Sequence, residues 1–78
     1  MPRYFFHYFD GETVEADFEG LQFPSLEAAV ADAKAAATEI MVERMLSGRE
    51  IGAQRFEIAN EDGVVLTSVA FRSVLNLQ

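Results

Sequence analysis

The segment Arg3–Gly11, Arg-Tyr-Phe-Phe-His-Tyr-Phe-Asp-Gly, carries five of the chain's nine aromatic residues and its only histidine. It reads as an aromatic β-strand, about Arg3–Phe9, that runs into a hairpin. Gly and, less easily, Asp tolerate the positive φ that tight turns require. Side chains alternate across a strand, so this segment puts rings on both faces of the sheet it joins. One face can be covered by a helix. The other face then needs a partner, a ligand or a packing explanation.

The second strand is expected at about Glu12–Phe18. Val14, Ala16 and Phe18 fall on one side and Thr13, Glu15 and Asp17 on the other, the pattern of a half-buried strand with a solvated acidic face. Hairpin register decides which face of the first strand is core, because a one-residue slip moves every side chain to the other face. A two-residue Asp10-Gly11 loop pairs Phe9 with Glu12 and puts Phe5 and His7 beside Val14 and Ala16. A three-residue Phe9-Asp10-Gly11 loop pairs Tyr8 with Glu12 and joins Tyr4 and Phe6 to Ala16 and Val14. The second register is preferred, since it keeps the lone histidine off the core face.

Gly20 and Pro24 bracket a connector, and Ser25 is a good N-cap for a helix from Leu26 to about Leu46. Glu27 in its first turn complements the helix dipole. Leu26, Ala29, Val30, Ala33, Ala37, Ile40 and Met41 form one apolar stripe, with Val42 and Leu46 outside it as a hint of a second contact surface. The Ala-rich centre allows close approach to a sheet, where bulky strand aromatics fill the gap. Gly48 stops the helix. A third strand over Arg55–Ala59, a turn at Asn60-Glu61-Asp62-Gly63 and a fourth strand over Val64–Phe71 follow, and Arg72–Gln78 reads as a helical turn packing Val74 and Leu77. The expected fold is α+β, β-β-α-β-β, with one long helix on one face of a four-stranded, mostly antiparallel sheet. Residues 1–78 make a single domain.

Composition narrows the function classes. A chain this short buries only about 60–65% of its unfolded surface, and it has no cysteine for a disulfide or a thiolate metal site. Self-association is the remaining common stabiliser of a small domain. Thirteen acidic residues against six basic ones give a net charge of −7. Phosphate-backbone binding needs clustered Lys and Arg, and Arg3, Lys34, Arg44, Arg49, Arg55 and Arg72 form no run. Nucleic-acid binding is therefore the alternative reading, and it would require Arg3, Arg55 and Arg72 to share one surface. The amino terminus lacks the apolar core and cleavage site of a signal peptide, and no stretch approaches a membrane span. A cytoplasmic protein is expected.

Catalytic signals are sparse. His7 titrates near neutrality unaided, but a catalyst needs a positioned partner. Glu12, Glu15, Asp17 and Glu19 line up along and after the second strand, which suits a solvated face better than converging metal ligands. There is no nucleophile elbow, phosphate-cradling glycine loop or zinc spacing. The expectation is no enzyme, no cofactor, no metal and no catalytic residue. Phe5, His7 and Phe9, on the face away from the helix, are the candidate interface or ligand-contact residues, since exposed contiguous apolar surface marks interaction sites.

The opening Met1-Pro-Arg-Tyr-Phe-Phe-His7, with Asp10-Gly11 after it, resembles a bacterial family of short proteins of unknown function. Asp17-x-Glu19-Gly20, the Ala-rich helix, Glu61-Asp-Gly63 and Val69-x-Phe71 are similar to that family too. The resemblance implies a stand-alone bacterial domain and carries no mechanism. The function expected is a small self-associating or protein-binding module that uses its aromatic sheet face, as a homodimer or with a protein partner.

Overall fold

A computed structural model describes residues 1–75. Along the chain lie β1 (Arg3–Asp10), β2 (Thr13–Glu15), β3 (Leu21–Gln22), α1 (Leu26–Leu46), β4 (Arg55–Ala59), β5 (Val65–Ala70) and α2 (Phe71–Val74). The strands pair antiparallel in the order β2-β1-β4-β5, with β3 also on β1. The class is α+β, as expected, with one strand more: the connector before Pro24 contains β3.

Helix α1 forms where its periodicity and cap place it. The Ser25 Oγ accepts a hydrogen bond from the Ala28 N–H at 3.1 Å, satisfying one of the orphan amides of the first turn. At the other end Gly48 takes φ +76°, the left-handed stop that favours glycine. Ala29, Ala33, Ala37 and Met41 are fully buried, and Leu26, Val30 and Ile40 pack beside them. The helix lies over β1, β4 and β5. Val42 and Leu46 are exposed. Replacing Ser25 by Ala is expected to cost about 1 kcal/mol and to lower the melting midpoint by roughly 4–8 °C. A drop of less than a degree in a thermal melt would show the hydroxyl to be idle.

The sheet side of the core is a connected set of rings. Phe23 stacks on Phe6 (centroids 5.8 Å, 9° between planes), Phe6 and Tyr8 each meet Phe56 at 5.8 Å, and Phe71 lies 5.2 Å from Phe56 and 5.6 Å from Tyr8. Such tilted and offset pairs suit the ring quadrupole. Tyr4, Phe6 and Tyr8 are thus the helix-side residues of β1, and His7 lies off the core face, as expected.

The register itself differs from both expectations. Phe9 pairs with Val14 and Tyr8 with Glu15, leaving Gly11-Glu12 as the loop. Gly11 has φ +63°, which suits the primed two-residue hairpin with Gly at its first central position. Directly opposed residues share a face, so Val14 lies on the open face with Phe9, 52% exposed, and Glu15 lies on the helix side beside Tyr8. Strand β2 is also shorter than Glu12–Phe18. At the far end, Phe71 starts α2 instead of closing the last strand: its N–H donates to the Gln54 carbonyl at 3.0 Å and its ring turns into the core. Val74 packs against the core; the expected contact of Leu77 lies outside the described residues.

Candidate functional site

What ends β2 is Asp17. Along β1, β2 pairs with Tyr8–Asp10 and β3 with Arg3–Tyr4, which leaves Phe6 between them without a strand. The Asp17 carboxylate fills that gap. Its Oδ2 accepts from the Phe6 N–H at 3.0 Å, and its Oδ1 accepts from the N–H groups of Gly20 (3.0 Å) and Glu19 (3.2 Å). Partial burial would raise the Asp17 pKa, but the three backbone donors outweigh it, with help from nearby His7, and hold the carboxyl below its ordinary value. The Asp17 N–H in turn donates to Nδ1 of His7 at 3.0 Å, and Arg3 donates to the Glu19 carbonyl at 2.8 Å. Gly20 closes the loop at φ +66°, where a Cβ would stand 2.7 Å from the Tyr4 carbonyl oxygen. No other residue fits there without moving backbone.

This anchored loop presents Phe18, 89% exposed, over the open face. Phe18, Phe5, His7, Ala59, Asn60 and Glu61 line a shallow depression of about 230 Å³. Phe5, His7 and Phe9 all lie half-buried on this face, but they are not one site. Phe5 and His7 meet in the depression. Phe9 sits apart under the Arg55 guanidinium, 4.1 Å above its ring, and Arg55 also binds Glu57 at 3.0 Å. Phe18 was assigned by alternation to the core side. The signal that could have found it is the Asp17-x-Glu19-Gly20 pattern, in which an Asp accepts amides two and three residues on and so breaks the strand.

Two further concavities, of about 450 Å³ and 340 Å³, lie between the β1–β2 hairpin and α1. Tyr8, Glu15 and Ile40 line both, Glu43 and Arg49 the larger, and Phe6 and Phe56 the smaller. The polar groups here tie elements together. Asp10 accepts from Gln54 Nε2 at 3.1 Å, and Arg44 Nη1 and the Tyr8 hydroxyl each lie 3.5 Å from its Oδ2. Burial, then the Asp10 carboxylate, raise the Tyr8 pKa. Buried Gln54 also accepts from the Gly52 N–H at 2.7 Å. Asp10, which the sequence offered as a turn residue, links the hairpin to the end of α1 and the start of β4.

The Asp17 carboxylate holds three amides, and Nδ1 of His7 holds a fourth. Among the described residues no three His, Asp or Glu side chains converge on a metal position, and no helix is long and apolar enough to cross a membrane. A family model described as a domain of unknown function (DUF6894) matches residues 3–72. The chain belongs to this family. The DUF6894 match spans every strand, helix α1 and the first residues of α2, so the Asp17 loop and the open face are both within it. Searches of curated proteins and of solved structures found no match to this DUF6894 chain.

Proposed function

We propose that the protein is a small binding module of the bacterial cytoplasm, without enzymatic activity, that docks a protein partner on the open sheet face. The observation that carries this reading is Phe18: a large ring held almost wholly in solvent by a rigid loop, next to the Phe5–His7 depression. Burying such a ring contributes about 1.5–3 kcal/mol, and a loop already fixed by Asp17 and Gly20 loses little entropy on binding. The fitting partner has an apolar side chain for the depression and Lys or Arg around it, since Asp17 and Glu61 line the rim of a chain with net charge −7. A second copy laid face to face would set these carboxylates against their own kind. The nucleic-acid reading gains no support, because Arg3 is spent on backbone carbonyls and Arg55 on Phe9 and Glu57.

The test is an NMR titration with a peptide carrying one Phe among Lys residues. Amide shifts centred on Phe5, His7 and Phe18 are expected, and none with a Glu-flanked twin. Phe18→Asp should abolish them while leaving the melting midpoint within about a degree, as expected for an exposed position. Shifts that survive that substitution, or that follow charge alone over the whole acidic surface, would overturn the reading.

A further inference from the structure

Strand β5 ends the sheet, and among the described residues it pairs only with β4. An open edge is a template for another strand, and native sheets blunt such edges with brevity, charge, proline or bulges. The other end of the sheet, β2, follows that rule: three residues with Glu15 among them. Strand β5 does not. Val64–Phe71 contains no charge and no proline, and Val64, Val65 and Leu66 are 54%, 50% and 41% exposed. Its one irregularity, where Ile58 pairs with Thr67 but Ala59 with Val65, displaces Leu66 and leaves Thr67–Ala70 regular.

We propose that β5 pairs antiparallel with β5 of a second copy of this chain, about a two-fold axis close to Ser68, joining two sheets into one. The charges bordering the strand select this occupant. Glu61 and Asp62 precede β5 and Arg72 follows it. Antiparallel pairing of identical strands brings the acidic end of each copy to the basic end of the other, and two-fold symmetry makes that contact twice. The seam between is uncharged, so two chains of net charge −7 meet where neither carries charge. Both open faces then lie on the same side of the joined sheet. The inference stands whether or not that face binds a partner.

Light scattering across a concentration series tests it. The expected mass is twice 8.7 kDa, falling to a single chain for Ser68→Lys, which places two like charges near the axis at an exposed position. Phe18→Asp should leave the dimer intact. Should Ser68→Lys fail to fold, hydrogen exchange on the unaltered protein decides: amides within Thr67–Ala70 that point away from β4 should be protected and lose that protection on dilution. A single-chain mass throughout, free exchange of those amides in a dimer, or a dimer that Phe18→Asp dissolves and Ser68→Lys does not, would each overturn the proposal.

Discussion

Phe71→Ala is expected to destabilise the protein by about 4 kcal/mol, in the range for truncating a buried aromatic ring. Phe71 is the largest fully buried side chain. It touches the rings of Phe56 and Tyr8, which come from two different strands, and its amide is fixed by the Gln54 carbonyl. A cavity there cannot collapse easily, because β5 and α2 meet at that residue. A chain of this size has roughly 4–12 kcal/mol of total stability, so the variant keeps a fraction of it at best. Urea denaturation should show the midpoint shifted far down or no cooperative transition. A midpoint near that of the parent protein would mean that the aromatic set is not the core of the fold.

Asp17→Asn should cost about 2–3 kcal/mol, since it weakens two charge-assisted bonds and turns an amide donor toward the Phe6 N–H. For a domain of this length that is a fall of roughly 10–20 °C in the melting midpoint. The same carboxylate gives a pH signature. Its folded-state pKa lies below its unfolded one, so its contribution is complete above the unfolded value and is lost as pH falls through the folded value. The parent protein should therefore lose stability in acid more steeply than the Asn variant. Parallel pH–stability curves for the two would refute the role assigned to Asp17, and the Phe6 amide, which should exchange faster in the variant, is an independent check.

What the sequence made legible was what depends on neighbours in the chain. The stripe from Leu26 to Met41, the Ser25 cap and the Gly48 stop are settled within a few residues, and so are the Asn60–Gly63 turn and β4. Alternation grouped Phe5, His7 and Phe9 on one side of β1, and the choice to keep the lone histidine off the core made that the side away from the helix. The rest depended on contacts at a distance. Asp17 binds an amide eleven residues away, and nothing in the alternation of Val14, Ala16 and Phe18 announces that the strand stops first. The order β2-β1-β4-β5, the pull of the Gln54 carbonyl on Phe71 and the link from Asp10 to Arg44 and Gln54 likewise arise only when separate elements meet. Phe18 was misplaced together with Val14 by the hairpin register, which sets both on the open face.

The Asp17-x-Glu19-Gly20 loop also divides its own residues by duty. Asp17 and Gly20 hold the backbone through the carboxylate and the left-handed φ, and Glu19 contributes its amide and carbonyl. The side chain at position 18 has no part in this, so the loop folds equally well around a different residue there. Descendants of such a sequence can exchange that one side chain, and with it the chemistry of the open face, without renegotiating the scaffold. The display position is open to variation because the positions beside it are not.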